Sequence, residues 1–278
     1  MISLQGELLA LVTSGKHIAL KVEIMLPVLR QSAATVAVLI FGATAALAQT
    51  AGKAPKAVLE LFTSQGCSSC PPADALIVEL AKDPELIALT LPVTYWDYLG
   101  WKDTLGKDSF ARRQKFYAKA RGDGQVYTPQ VVINGAAHAV GSERPEIEKA
   151  IGQLATPGFA AQLTLKEDNG SLQIRIAPTR AVTEAAGVWI VPTTRQASVP
   201  ITRGENEGKT LSYANVVRGM VRVGDWDGKE TTLSAPLSAT QAQDADGYVV
   251  IVQAERPGKH GFMMPGAILA AAKGLAAR

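Results

Sequence analysis

This chain has two cysteines, Cys67 and Cys70, and they are separated by two residues. The apolar run at residues 57–62 predicts a short buried strand before them, and residues 71–81 predict a helix after them. Two prolines begin that helix, as expected where backbone N–H groups need no partner. A CxxC pair at a strand-to-helix turn is first of all a candidate for redox chemistry.

The two thiols are predicted to differ in role. Cys67 lies near the N-terminal end of the helix, where unpaired N–H groups and the helix dipole favour a thiolate over a thiol. Cys67 is therefore the candidate nucleophile, and Cys70, one turn further in, is the candidate resolving thiol. The reactive group is then a Cys67–Cys70 disulfide, and no other cofactor is predicted.

Two other interpretations of the CxxC pair stay open. A static disulfide is one, although closing a four-residue loop removes little chain entropy, about 2 kcal/mol, and joins no distant segments. A metal site is the other, and outside the N-terminal leader the chain offers it His138 and His260 besides the two thiols. We favour redox chemistry and predict no metal.

The N-terminal region predicts export. Residues 33–48 form a continuous run of apolar and small residues that follows Arg30 and ends in Ala-Leu-Ala, as in the hydrophobic core and cleavage site of a signal peptide. The run is shorter than the roughly 20 residues of a transmembrane helix, and an uncleaved anchor is the alternative. We expect residues 1–48 to be removed, with Met25 as an alternative start, and a periplasmic or secreted product.

The mature chain is long enough for two domains. Removal of residues 1–48 from the 278-residue chain leaves 230 residues, which exceeds one small domain. The formal net charge is only +3, and the basic residues are scattered rather than gathered into a stripe with aromatic residues. We therefore predict no nucleic-acid partner, and no membrane contact beyond the export signal.

The N-terminal half reads as an α/β domain after a flexible leader at residues 49–56. Strands and helices alternate through residues 57–156, in the order strand, helix, strand, helix, strand, strand, helix. This is the order of thioredoxin. The strands are predicted at residues 57–62, 86–93, 130–135 and 137–140, and the helices at residues 71–81, 109–120 and 145–154.

The C-terminal half, residues 159–278, has a different pattern of apolar and polar residues, typical of strands rather than of helices. Alternating apolar and polar residues flank Asp168-Asn169-Gly170, which is a strong hairpin signal. Further strand-like runs are separated by Gly, Asn and Asp. We predict a mostly antiparallel, sandwich-like β domain that ends in a short helix. The strands are predicted at residues 161–166, 172–177, 187–191, 211–223 and 248–253, and the helix at residues 265–275.

A proline lies where the thioredoxin order would bring it back to the cysteines. The spacing between Cys70 and Pro129 fits one helix, one strand and one helix, and thioredoxin-type folds place a cis proline opposite the CxxC turn. We predict that Thr128–Pro129 is cis and close to Cys67, so that Thr128 can pair with an extended substrate chain. The alternative is that Pro129 merely begins an edge strand.

Four further residues are candidate site residues. Glu60, an acid within an apolar strand, is predicted to accept the proton of the resolving thiol, unless it faces solvent. Trp96, Asp97 and Trp101 belong to an aromatic-rich loop just past a strand's carboxyl end, where open α/β sheets bind ligands. We predict that this loop lines a substrate groove; the alternative is that it caps the core or contacts the β domain.

Several of these segments together resemble a known family, the bacterial secreted thioredoxin-like proteins catalogued as domain of unknown function 1223. The resemblance covers residues 56–275 and implies a thioredoxin-like domain followed by a β-rich domain, with no established substrate. The matching segments are residues 59–74, 95–103, 126–130, 204–206 and 213–218.

The leading functional hypothesis is a periplasmic thiol-disulfide oxidoreductase whose partners are protein thiols or disulfides. The CxxC motif does not give the direction of electron flow, which depends on reduction potential. One alternative is a non-enzymatic binding protein in which the CxxC pair is a redox-sensitive clasp. Another is a carrier that binds Cu(I) through both thiolates.

Overall fold

The computed structural model describes residues 54–258 and 263–274, all within one compact unit, Leu47–Arg278. The export signal, its cleavage site and residues 49–53 lie outside the described residues. The helices are α1 (Pro71–Leu80), α2 (Asp108–Arg121) and α3 (Arg144–Ala155), with short 3₁₀ turns at Asp97–Leu99 and Leu237–Thr240. No helix in this described part has the length and apolar character needed to span a membrane.

The strands of the described chain form two sheets. A nine-stranded mixed sheet has the order β12-β11-β7-β8-β2-β1-β3-β4, with β9 also paired to β7, and a three-stranded sheet has the order β10-β6-β5. The strands are β1 Ala57–Thr63, β2 Leu86–Pro92, β3 Gln130–Ile133, β4 Ala137–Val140, β5 Ala161–Asp168, β6 Ser171–Pro178, β7 Ala186–Pro200, β8 Thr210–Val217, β9 Val221–Trp226, β10 Thr231–Pro236, β11 Gly247–Pro257 and β12 Met263–Gly274.

The predicted fold class, an α/β thioredoxin-like domain followed by a mostly antiparallel β-sandwich, is wrong. One mixed sheet runs from the N-terminal half into the C-terminal half, because β8 lies parallel to β2 with Thr90 opposite Val216. The Thr90 hydroxyl donates to the Ala214 carbonyl at 2.7 Å across this junction. The apolar run of β2 signals burial on both faces, but burial does not reveal which strand pairs with its second edge.

Two local predictions in the C-terminal half also need correction. The predicted strand at residues 211–223 is two strands, β8 and β9, which both run antiparallel to β7. The predicted helix at residues 265–275 is strand β12. Its alanines favour a helix locally, but β12 pairs with β11 and buries Ala270 and Ala271 in different core clusters. Tertiary packing therefore overrides helix propensity here.

The alternation of side chains along β1 decides what each residue can reach. Successive strand residues face opposite sides of a sheet. Leu59 and Leu61 pack with α1 and α3, whereas Val58 and Phe62 pack with α2. Glu60 therefore faces α2, and Thr63, at the end of the strand, faces α1.

Candidate functional site

The CxxC turn joins β1 to α1, and its two cysteines form a disulfide. Cys70 is the N-cap of α1, and its carbonyl accepts the backbone N–H groups of Ala73 and Asp74. Cys67 is 3% exposed and Cys70 is fully buried, while Ser68 between them is exposed. Of the two cysteines, Cys67 is thus the one with exposed surface, and we expect a reagent from solvent to reach it first.

A chain of hydrogen bonds ends on the sulfur of Cys67. The Thr128–Pro129 bond is cis, and the Thr128 hydroxyl donates to Cys67 Sγ at 3.2 Å. Trp96 Nε1 in turn donates to the Thr128 oxygen at 2.7 Å, which leaves the hydroxyl hydrogen for the sulfur. The predictions of a cis bond and of its contact with Cys67 are confirmed. A donor aimed at a sulfur favours the thiolate once the disulfide is reduced.

A loop from the C-terminal half, residues 201–209 between β7 and β8, forms hydrogen bonds to the backbone of the CxxC turn. We call this loop the strap. The buried Asn206 amide donates to the carbonyls of Gln65 at 2.9 Å and Cys67 at 3.0 Å. The Glu205 carboxylate accepts the backbone N–H of Ser68 at 3.2 Å. Residues 204–206 stood out in the sequence only through the family resemblance. No local pattern links them to a turn that lies so far away along the chain.

The aromatic loop also forms hydrogen bonds to the turn, through Gln65. Trp101 Nε1 donates to the side-chain oxygen of Gln65 at 2.7 Å. Asp103, which the sequence reasoning missed, accepts the backbone N–H of Gln65 at 2.8 Å, and Asp97 accepts the N–H of Asp103 at 3.1 Å. The structure thus brings both tryptophans and, through Asp103, Asp97 to the turn. A role of this loop in lining a substrate groove stays a prediction.

Glu60 is buried, so its alternative placement on an exposed strand face is wrong. Its carboxylate forms an ion pair with Arg113 of α2, with Nε and Oε1 2.7 Å apart, and also accepts the hydroxyl of Tyr117. Burial and the neighbouring carboxylate raise the pKa of Tyr117 well above its ordinary value, although the Arg113 charge opposes this. Glu60 thus belongs to a network on the α2 face of the sheet, and its role as a proton acceptor stays a prediction.

Comparison with known proteins identifies the family. A model of the family described as a protein of unknown function, DUF1223, matches residues 58–253. This chain belongs to the DUF1223 family. The resemblance drawn from the sequence is therefore confirmed.

A crystal structure of a protein from Agrobacterium tumefaciens is similar to this DUF1223 chain. The two are 32% identical with a TM-score of 0.69, and the match covers 81% of this chain and 96% of the other. No curated protein matches the chain.

A second acid that sequence reasoning missed lies beneath the turn of this DUF1223 protein. Asp74 of α1 is 2% exposed, and its Oδ1 accepts the Thr63 hydroxyl at 2.7 Å. Burial raises the pKa of Asp74 to about 8, and that of Asp103 to about 6. The signal in the sequence was an acid on the helix face that also carries the buried Ala73 and Ile77.

The other possible metal ligands of the chain are placed elsewhere or not described. His138 contacts the Tyr127 hydroxyl at 2.9 Å and Asp123 at 3.2 Å, and His260 lies outside the described residues. Within residues 54–258 and 263–274, no group of three or more His, Cys, Asp or Glu side chains is arranged to hold a metal ion.

Substitution of Thr128 tests the donor chain. Thr128→Val keeps the shape of the side chain but removes the hydroxyl that donates to Cys67. We expect iodoacetamide to alkylate Cys67 of the reduced variant about tenfold more slowly at pH 7, since a hydrogen bond to a charged group contributes roughly 1.5–3 kcal/mol. The pH dependence of alkylation should move to higher pH. Thr128→Ser, which retains the hydroxyl, should keep most of the wild-type rate; equal rates in all three proteins would contradict the assignment.

Proposed function

We propose that this DUF1223 protein is an exported thiol-disulfide oxidoreductase that acts through Cys67 and Cys70. The observation that carries the proposal is the donor chain from Trp96 through Thr128 to the sulfur of Cys67. A disulfide sulfur is a weak acceptor and gains little from such a donor, whereas a thiolate gains much. The contact is best suited to the reduced state, in which Cys67 carries negative charge.

The proposed reaction consists of two exchanges between sulfur atoms. A substrate thiolate attacks Cys67 Sγ, so that a mixed disulfide forms, the Cys67–Cys70 bond breaks and its electron pair leaves on Cys70. A second substrate thiolate then attacks the substrate sulfur, and Cys67 leaves as a thiolate. The substrate dithiol loses two electrons and the protein disulfide gains them. The reverse sequence reduces a substrate disulfide.

Proteins with accessible thiols or disulfides are the proposed partners. Thr128 is half-buried beside Cys67, at the start of the turn into β3. An extended substrate segment placed along this backbone would bring its own sulfur to Cys67, as in other cases of added-strand recognition. Trp96, Asp97 and Trp101 would form the neighbouring wall, where the ring of the 75% exposed Tyr98 stacks on that of Trp96.

Export is the second part of the proposal. The signal-peptide pattern of residues 33–48 supports it, and an oxidising compartment would allow the Cys67–Cys70 disulfide to persist. We expect the mature protein to begin at Gln49 and to appear in the periplasmic fraction. N-terminal sequencing of the exported product checks this, and a membrane-bound product that retains residues 33–48 would contradict it.

A trapping experiment tests the chemistry. Cys70→Ala removes the resolving thiol, so Cys67 should remain joined to partner proteins in complexes that disappear when dithiothreitol is added. Cys67→Ala, the matched control, should trap none because the remaining thiol is fully buried. Equal trapping by both variants, or none by either, would contradict the proposed roles.

A binding protein with a redox-sensitive clasp is the second candidate, and the strap is the observation that favours it. Glu205 and Asn206 attach the C-terminal half directly to the CxxC turn, so a change in the turn can be transmitted to that half. In this case a variant with both cysteines replaced by alanine would still bind its partner without any covalent complex. The trapping experiment and this double variant together separate the two candidates.

A further inference from the structure

Two buried polar atoms lie beneath the CxxC turn without hydrogen-bond partners among the described residues. They are Oδ2 of Asp74 and the hydroxyl oxygen of Tyr213. Both residues are almost fully buried, with 2% and 1% of their surfaces exposed. Buried polar atoms are nearly always paired, and a redox or catalytic role is one of the recognised reasons for an unpaired one.

The Tyr213 side chain has mostly apolar surroundings. It belongs to a core cluster with Ile201, Leu211 and Val216, against which Trp101 packs. Asp74 is itself 2% exposed, and burial of this degree disfavours a charged carboxylate, so the carboxyl group tends to hold a proton.

The ionisable groups that act on Asp74 come from two other segments. Asp103, from the loop after β2, raises the pKa of Asp74 through its charge. Burial, together with the charges of Asp74 and Asp103, raises the pKa of Tyr213 of β8 above its ordinary value. The three groups are therefore close enough to interact, and the neutral hydroxyl of Tyr213 remains available as a donor.

Asp74 and Cys70 share one face of α1. The backbone N–H of Asp74 donates to the Cys70 carbonyl at 3.1 Å, so the two residues are one helical turn apart. Side chains at positions i and i+4 are neighbours on a helix. Both residues are buried, whereas Glu60 faces the opposite side of the sheet.

We propose that Asp74 holds the proton that Cys70 takes up when the disulfide opens, and that Tyr213 stabilises the carboxylate left behind. This inference rests on the proposed function. When a thiolate attacks Cys67 Sγ, the electron pair of the broken bond leaves on Cys70 Sγ. The proton on Asp74 Oδ2 moves to that sulfur, which becomes a neutral thiol, and the hydroxyl of Tyr213 then donates to the new carboxylate. In the reverse step the carboxylate takes the proton from Cys70 as its sulfur attacks Cys67 of the mixed disulfide, whose bond to the substrate breaks so that the substrate leaves as a thiolate.

This assignment gives both unpaired atoms a partner once the disulfide opens. The Oδ2 proton then has a strong acceptor in the Cys70 thiolate. The Tyr213 hydroxyl then has a carboxylate to donate to, which is a stronger acceptor than a neutral carboxyl group. It also gives the C-terminal half a chemical role, since β8 provides Tyr213.

The pH dependence follows from the protonation state of Asp74. Because its pKa is raised to about 8, Asp74 is protonated at neutral pH and loses the proton as pH rises through that value. The rate of disulfide opening, divided by the concentration of attacking thiolate, should therefore be highest below pH 8 and fall above it. An enzyme whose leaving thiol needs no acid would show no such fall.

The experiment measures opening of the disulfide in the full oxidised protein by dithiothreitol between pH 6 and 9.5, with an alkylation quench and mass spectrometry. Asp74→Asn should lower the thiolate-corrected rate at pH 7 roughly 100-fold, within the range of general acid catalysis, and should remove the fall near pH 8. Tyr213→Phe should move the fall to higher pH, because the carboxylate loses a donor. Glu79→Gln, an exposed acid on the same helix, should keep the wild-type profile.

A measurement on the wild-type protein covers the case in which Asp74→Asn does not fold. Rapid reduction at pH 7 should remove the infrared C=O band of a protonated carboxyl group, and no loss of this band would overturn the proposal. A wild-type profile in Asp74→Asn would also overturn it, as would a profile that responds to Glu60→Gln instead.

Failure of this inference is distinguishable from failure of the proposed function. Trapped partners in Cys70→Ala together with an unchanged Asp74→Asn profile would leave the oxidoreductase standing and remove Asp74 from its mechanism. A pH profile that depends on Asp74, without any trapped partner, would support the role of Asp74 and contradict the proposed oxidoreductase function. This outcome is possible because dithiothreitol opens the disulfide whether or not a physiological substrate exists.

Discussion

The parallel contact between β2 and β8 places the C-terminal half of the chain against the CxxC turn. Thr90 donates to the carbonyl of Ala214 across this contact, and the side-chain amide of Asn215 donates to the carbonyl of Ala88 at 2.8 Å. Because β8 is fixed at this edge, the strap before it reaches the turn. The same strand brings Tyr213 within electrostatic range of Asp74.

The sheet separates two buried acids, because Glu60 lies on its α2 face and Asp74 lies on its α1 face. Glu60 is paired with Arg113, and an ion pair of this kind leaves an uncompensated charge if one partner is removed, at a cost of about 3–5 kcal/mol. Among the described residues, the side-chain donor to Asp74 is the Thr63 hydroxyl, and burial favours the neutral form of this acid. One acid is thus paired with a cation, and the other is suited to hold a proton that can move.

The features that could be predicted from the sequence depend on short-range spacing. The CxxC turn followed by prolines sets the start of α1, and the order of elements between Cys70 and Pro129 brings Thr128 back to the sulfur. The family is also recognisable from its longer motifs. These parts of the site therefore follow from the amino-acid sequence alone.

The remaining features depend on pairing between distant segments. Nothing near β2 indicates that β8 is its neighbour, and the alanines of β12 favour a helix until β11 is placed beside them. Asn206 is recognised as a support of the turn only through its bonds to Gln65 and Cys67. The face of β1 on which Glu60 lies likewise does not follow from its spacing to Cys67.

In the proposed chemistry, Cys67 is the reactive sulfur and Cys70 is a protected one. The most direct test reduces the wild-type protein, treats it briefly with iodoacetamide at pH 6 and quantifies the two alkylated cysteines by peptide mass spectrometry. We expect alkylation of Cys67 with little at Cys70, because a donor favours the thiolate of Cys67 and Cys70 is fully buried. Equal alkylation of both cysteines, or faster alkylation of Cys70, would contradict it.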